Sequence, residues 1–434
     1  MHDPIAIKPK WIFAASDHKR AVWPQTGLWV VMRSGRIEEL AATKPLSIPS
    51  QDCLDRPDWI LLPGFFNCHC HLEFSDLQSP FPASNSFAEW IGSVVRHRMQ
   101  ASGNRDVSRS QALRSGIVES WQTGTRFVFD TITAPWQSEW IRDSLDEIVG
   151  QLSPRAREIC GETPIRVLPC VEVLDINQTR KEETWRFYNG LRSQCDSLGI
   201  SPHAPYTTSN TFVKESVMLA NQNDAVVSMH LAESKDEMNW LVNRLGPFDS
   251  RLAPFRDATY DLDRSVLSDY MQSLVEAERL LIAHGNYLTK SELALLSHKS
   301  TSAAIVHCPR TYRHFQLEGR DAYPIETRLE DGVQHFLGTD SRASNPDLSM
   351  WREFQCIAME TRNDVSMLER VLRMLTIAPA KFFRQADLGS IQPGAAALLN
   401  CIANPGGWPD TPEELLVSIA STSMHPSPLE LCLN

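Results

Sequence analysis

The chain has 434 residues, with 42% hydrophobic and 22% charged residues and a formal net charge of −11. That length holds a large α/β domain with a smaller companion. The acidic balance argues against a nucleic-acid or anionic-membrane surface. No run approaches the roughly 18 apolar residues of a membrane helix, and no basic and apolar leader opens the sequence. The ten cysteines include no CxxC pair, which excludes a zinc ribbon and predicts reduced thiols in a cytoplasmic protein.

In chain order, Leu28, Trp29, Val30, Val31 and Met32 form an apolar run, Ser34-Gly35 turns, and Arg36-Ile37 resumes, which is a hairpin pattern. It places a small β domain ahead of residue 59. Strand-like and helix-like segments then alternate. Residues 61–71 read as a first strand, 126–130 as a second, 165–173 as a third and 199–203 as a fourth. Residues 225–230, 280–284, 303–307 and 335–340 supply the other four. Between them, Val107, Leu113, Ile117 and Trp121 mark one face of a helix that stops at Gly124. Thr289 to Glu292 has the capping-box pattern, and Leu368, Val371, Leu372 and Leu375 keep helical spacing.

Eight short apolar strands separated by helices predict a (β/α)8 TIM barrel. No GxGxxG or GxxxxGK[ST] loop supports a doubly wound nucleotide-binding sheet instead. The long connections 131–164 and 244–278 are expected to contain helices, and either is placed to cover a site. Gly389 to Gly394 and Leu398-Leu399 read as a return to the β domain. The Pro-, Gly- and Ser-rich tail from Asn404 reads as loosely ordered. The expected division is residues 1–58 plus 388–434 for a small β-sandwich domain built from both chain ends, and 59–387 for the barrel.

The chemistry rests on where polar residues fall. His69 and His71 stand two apart on a strand and so point to one side. Asp130, Glu172, His203, His230, His284, His307 and Asp340 end the strands that follow. In a TIM barrel these ends gather at one mouth, where active sites lie. Three or four nitrogen and oxygen ligands with an open position suit Zn2+ or Fe2+, and such an ion lowers the pKa of bound water towards about 7. Glu233, three residues past His230, stands where a proton carrier is needed.

In order along the chain, PGFxNxHxHLE, SPHAPY, HLAES, AHGNYL, HCPR and LGTDS resemble the amidohydrolase superfamily. The resemblance covers nearly the whole chain. It is closest to the branch holding the cytosine, S-adenosylhomocysteine and aminodeoxyfutalosine deaminases and the triazine hydrolases. It implies one divalent metal ion, Zn2+ or alternatively Fe2+, on His69, His71, His230 and Asp340. Glu233 would shuttle protons, His284 would orient or polarise the attacking water, His203 would contact substrate or water, and Asp340 would accept the water's proton. HLEFS, the segment 86–95, Glu237 with Trp240-Leu241, and the segment 344–349 narrow the resemblance to aminodeoxyfutalosine deaminases, which remove the 6-amino group of an adenine nucleoside. Glu73 and Trp90 would then contact substrate or pack the barrel mouth.

Two departures from the family pattern stand out. Relatives commonly have Ser-Asn after the HCP motif, whereas Arg310 leads here into Thr311, Tyr312, Arg313, His314 and Phe315. Arg310 and Arg313 would bind an anionic group of the substrate or lie on the surface as ordinary arginines. The C-terminal strand usually reads PGKxADL, and this chain has Pro393-Gly394-Ala395-Ala396-Ala397-Leu398-Leu399.

The expectation is a metal-dependent hydrolase that deaminates an adenine-type nucleoside or related aminated heterocycle. Its partner is a small molecule, with no nucleic acid and no membrane, and the family also allows a homodimer. The rivals are hydrolysis of a triazine, cyclic amide or other small heterocycle, and a catalytically silent metal-binding member.

Overall fold

The computed structural model describes the chain except residues 1–2, 15–21, 85, 101–104, 162, 245, 258–264, 300, 317–324, 326–328, 330–331 and 434. Part of the 244–278 connection therefore lies outside the described residues.

Both chain ends build one mixed sheet. Its strands are β1 (Ile5–Ala14), β2 (Trp23–Gln25), β3 (Trp29–Arg33), β4 (Arg36–Ala41) and β5 (Cys53–Pro63). The hairpin expected at Ser34-Gly35 joins β3 to β4, with both turn residues at positive φ, 49° and 77°, as a tight two-residue turn between twisted strands requires.

The second sheet is the barrel. It runs through β6 (Phe65–Cys70), β7 (Thr125–Ile132), β8 (Arg166–Val173), β9 (Gly199–Pro202), β10 (Val227–Leu231), β11 (Leu280–His284), β12 (Ala303–His307) and β13 (Gln334–Leu337). All seven neighbouring pairs are parallel and in sequence order. The ring closes where Asp340 bridges Cys70, its N–H donating to the His69 carbonyl at 3.1 Å. Most of these strands are buried along their whole length, because a barrel interior covers one face and helices the other.

The mixed sheet is completed by β14 (Leu399–Ala403) and β15 (Ser427–Pro428). β14 pairs antiparallel with β5, and the sheet order is β15-β14-β5-β1-β3-β4, with β2 on β1.

The first strand read from the sequence is two strands. Residues 61–63 end β5 in the mixed sheet, and the barrel starts at Phe65. Gly64 separates them for a steric reason. A Cβ there would lie 2.1 Å from Cγ of Arg126 and 2.8 Å from the Leu398 carbonyl oxygen. Gly64→Ala is therefore expected to destabilise by about 1–3 kcal/mol, the usual cost of overpacking, as a lower urea midpoint with unchanged slope. A midpoint equal to wild type would show that Arg126 can yield.

Arg126 itself is fully buried at the start of β7. It donates to the carbonyls of Pro164 (3.1 Å) and Leu399 (2.7 Å) and to both carboxylate oxygens of Glu430 (2.5 and 2.8 Å). The Trp121 indole donates to the same carboxylate at 2.9 Å.

Glu430 belongs to the tail expected to be loose. That tail instead forms helices Pro412–Ser421 and Leu429–Cys432, burying Leu415, Leu416, Ile419 and Leu429. Its turn-rich composition set the expectation; the apolar stripe and the Arg126 pair decide the outcome.

Helix Arg105–Gln122 buries Leu113, Ile117 and Trp121 as expected, but Val107 in its first turn is 47% exposed. Helix Val365–Leu375 buries all four residues read from its spacing. The Glu292 carboxylate accepts the Thr289 N–H at 2.6 Å, so the capping box forms. The 131–164 connection contains helices Glu139–Gln151 and Pro154–Cys160. None of the ten cysteines is in a disulfide. No described helix is long and apolar enough to cross a membrane.

Candidate metal centre and active site

The strand-end imidazoles meet at the carboxyl end of the barrel. His69 lies in β6 and His71 just beyond it, their ring centroids 5.0 Å apart. His230 in β10 brings its ring 4.7 Å from that of His69 and 5.3 Å from that of His71. His284 ends β11, 5.3 Å from His69. Oδ1 of Asp340 is 3.7 Å from Nε2 of His69 and 3.8 Å from Nε2 of His71. The donor atoms of His69, His71 and His230 all fall within 4.8 Å of one another, as do those of His69, His284 and Asp340.

The hydrogen bonding of this cluster fits a cation. The His203 carbonyl can only accept, so Nδ1 of His230 donates to it at 3.1 Å. Nε2 of a neutral His230 is then a lone pair, and it faces Nε2 of His71 at 3.2 Å. Both ring nitrogens of His69 and Nδ1 of His71 are buried without a hydrogen-bond partner. Burial, reinforced by the neighbouring imidazoles, holds His69 and His71 well below the usual histidine range. His230 falls to about 4, again mainly through burial. Neutral imidazole is the form that ligates metal. A divalent ion satisfies lone pairs that otherwise oppose one another in a dry site.

Two carboxyl groups complete the centre. Asp340 is pushed up to about 6 by burial, opposed by hydrogen bonds that include the Ser344 hydroxyl at 2.7 Å. Glu233 is held well above the usual carboxylate range by burial and by the nearby Asp340 and Glu237. Its Oε1 lies 3.5 Å from Nε2 of His284.

Glu237 fixes the turn that presents Glu233. Its carboxylate accepts the N–H groups of Ala232 (2.8 Å) and Glu233 (2.9 Å). Ala232, His284 and Asp340 all have positive φ, 54°, 67° and 58°. L-residues tolerate that conformation only where the surroundings impose it, and it recurs at functional sites.

A cleft of about 160 Å3 opens on the centre. His71, His203, His230, Glu233 and Asp340 line its inner wall; Phe74, Phe87, Trp90 and Val94 form an aromatic and aliphatic outer wall. Phe87 and Trp90 are stacked at 5.6 Å, and Phe315 meets Trp90 edge-on at 4.9 Å. Leu252, from the 244–278 connection, also reaches the cleft. His203 is anchored through Nδ1 to the Thr207 hydroxyl at 2.6 Å.

Four residues singled out in the sequence stand elsewhere. The Glu73 carboxylate is taken up by Arg98 (2.6 Å), the Thr133 hydroxyl (2.9 Å) and Arg109, outside the cleft lining. Arg310 forms a two-pronged pair with Asp347 at 2.7 and 3.0 Å and also does not line the cleft. His307 pairs with His335 at 2.8 Å and is in neither ligand group. Asp130 accepts the Leu72 N–H at 2.8 Å, which holds the chain just past His71.

Glu172, read from the sequence as a strand-end residue, lines the cleft, and so does Arg98, which was not singled out; the two are joined at 3.4 Å. Burial raises Glu172, but His203, Arg98 and the other imidazoles outweigh it and bring it down to about 2. Arg98 was legible as one further step along the face of helix Phe87–Gln100 that carries Trp90 and Val94, four residues apart each time.

A model of the Amidohydrolase family matches residues 60–421. The chain belongs to the amidohydrolase family. It is similar to a 5-methylthioadenosine/S-adenosylhomocysteine deaminase of Pyrococcus furiosus, at 26% identity over 357 residues, which is 81% of this chain and 76% of that protein. Its fold matches Helicobacter pylori aminofutalosine deaminase in complex with methylthio-coformycin, with a TM-score of 0.77, 19% identity and 97% of both chains covered. It also matches a zinc-bound adenosine deaminase from Xanthomonas campestris, at a TM-score of 0.70 and 20% identity, covering 98% of this chain and 90% of that one. This amidohydrolase is a metal-dependent hydrolase of carbon–nitrogen bonds, with a (β/α)8 barrel and a divalent-metal site.

Proposed function

We propose that this amidohydrolase deaminates an adenine-type nucleoside, replacing a ring amino group by oxygen and releasing ammonia. The observation that carries the reading is Glu233, a buried carboxyl 3.5 Å from His284 beside the imidazole cluster and facing an aromatic-walled cleft, where burial favours its protonated form. A protonated carboxyl there donates to the ring nitrogen next to the carbon under attack, so that charge does not accumulate on the ring. The similarity to a methylthioadenosine/S-adenosylhomocysteine deaminase supports the substrate class.

His69, His71, His230 and Asp340 would hold the cation, zinc in this reading and iron(II) as the alternative. A bound divalent ion supplies Lewis-acid activation of water. Asp340 takes the proton that water gives up, and His284, 3.5 Å from Glu233, orients that water. His203 hydrogen-bonds the ring from the opposite side, its orientation fixed by Thr207. Trp90, stacked on Phe87 and backed by Phe315, packs on the planar base and keeps bulk water out. Glu73 positions Arg98 from outside the cleft. Arg310, committed to Asp347, ties the loop after β12 to the one after β13.

The test is ammonia release by purified protein of measured metal content on adenosine, methylthioadenosine, S-adenosylhomocysteine and aminodeoxyfutalosine. Cytosine, guanine and a chlorotriazine complete the panel. Turnover confined to adenine nucleosides is expected. Chloride from the triazine, or a new carboxylate, without ammonia from any nucleoside would overturn the reading.

A further inference from the structure

At the amino-terminal end of the barrel, opposite the metal centre, a second cavity of about 560 Å3 opens among the starts of β8, β9, β10 and β11. That is well above the 160 Å3 of the catalytic cleft and within the range of small-molecule sites. Its charge runs against that of the molecule. The chain carries −11 overall, yet the Lys, Arg, Asp and Glu side chains of the lining are Arg166, Arg192, Arg279 and Arg384 against Asp196 and Asp224. Arg166 is matched by Asp387, at 2.7 and 2.8 Å. Asp224 is shared by two guanidiniums, pairing with Arg279 at 3.4 Å and also with Arg384.

Three arginines therefore face two carboxylates, and one of those carboxylates already serves two cations. Nε of Arg279, on a side chain only 15% exposed, is buried with no hydrogen-bond partner among the described residues. The remainder of the lining mixes polar residues, among them Ser197, Asn223 and Gln385, with apolar ones. Phe127 and Phe383, 4.7 Å apart and tilted by 40°, are buried behind this lining. A site with surplus guanidinium charge selects an anion, and guanidinium geometry matches phosphate oxygens.

We propose that this cavity is a second binding site, for a small anion bearing a phosphoryl group. The site is distinct from the reaction centre because its lining comes from the first residues of barrel strands and the segments before them, from Tyr188 and Arg192 of helix Gln178–Arg192, and from the segment after helix Ile377–Phe382. Four of the contributing strands lead at their far ends to Glu172, His203, His230 and His284. A ligand here would sit under the elements that carry the active site without touching it.

The experiment is calorimetric titration of the metal-loaded protein with inorganic phosphate and with phenyl phosphate, with phenol as the uncharged control. Saturable binding of both phosphates is expected, weakened by added salt, with none of phenol. Arg384→Met and Arg192→Met alter exposed side chains and carry little risk of misfolding. Arg384→Met is expected to weaken binding about 10- to 100-fold, the range for one charge-assisted hydrogen bond. Arg192→Met is expected to weaken it less, and His69→Ala to leave it unchanged. No binding by wild type would overturn the proposal. So would equal binding by Arg384→Met, or loss of binding in His69→Ala, which would place the anion at the metal centre.

Discussion

Replacing Glu233 by Gln is expected to lower kcat for ammonia release by about 10²–10⁴-fold, the range for loss of a positioned general acid. Bound metal per chain is expected to stay at the wild-type value. The amide keeps the shape and hydrogen-bonding reach of the side chain but has no proton to transfer at neutral pH. Glu233 is also outside both ligand groups. His69→Ala is the contrasting variant. It removes a donor common to both groups, so metal content and turnover should fall together. Chelation of the wild-type enzyme should reproduce that loss, and added zinc should reverse it. Wild-type kcat in Glu233→Gln would remove the carboxyl from the proton path. Full activity in chelated protein would remove the metal.

Arg126→Ala is expected to destabilise the fold by about 3–5 kcal/mol, read from urea denaturation. Arg126 and Glu430 are both fully buried, and the pair joins the barrel base to the last helix of the chain. Removing the guanidinium strands a carboxylate whose remaining partner is the Trp121 indole, and a buried charge left in that state costs more than the pair contributed. The double variant Arg126→Met with Glu430→Leu removes both charges and should recover most of the loss. A single-variant midpoint within error of wild type would show that water reaches the carboxylate. Turnover below the unfolding transition should be unchanged in each variant, because the pair lies at the end of the barrel opposite the metal centre.

The imidazole and carboxylate cluster was legible because barrel geometry turns sequence position into spatial position. A residue that ends an apolar strand is carried to the mouth whatever lies between, so His69, His71, His230, His284 and Asp340 converge although their connections differ in length. The same rule overreached at His307 and Asp130. Each ends or interrupts a strand, but His307 turns to His335 and Asp130 to the Leu72 N–H. Strand position fixes which end of the barrel a side chain occupies, not which neighbour it meets.

Arg310 and Glu73 show the same limit in long side chains. Glu73 was expected to contact substrate or pack the mouth, and Arg310 to bind an anionic group or lie on the surface; each is engaged by an opposite charge from a distant segment, Arg98 and Arg109 or Asp347. Nothing local encodes such a partner. The ordered tail was missed for a related reason. Its Pro-, Gly- and Ser-rich composition describes local chain preference, whereas Glu430 is held by Arg126, 304 positions away.

The sequence by itself determined the barrel, the return of the C-terminus to the N-terminal sheet, and the imidazole and carboxylate set, because periodicity and strand-end placement are local properties that packing then obeys. Only the tertiary structure decided the break at Gly64, the cleft wall made by Arg98 and Glu172, and the destinations of Arg310 and Glu73. Those depend on distance and charge between residues far apart in the chain, and a one-dimensional pattern carries neither.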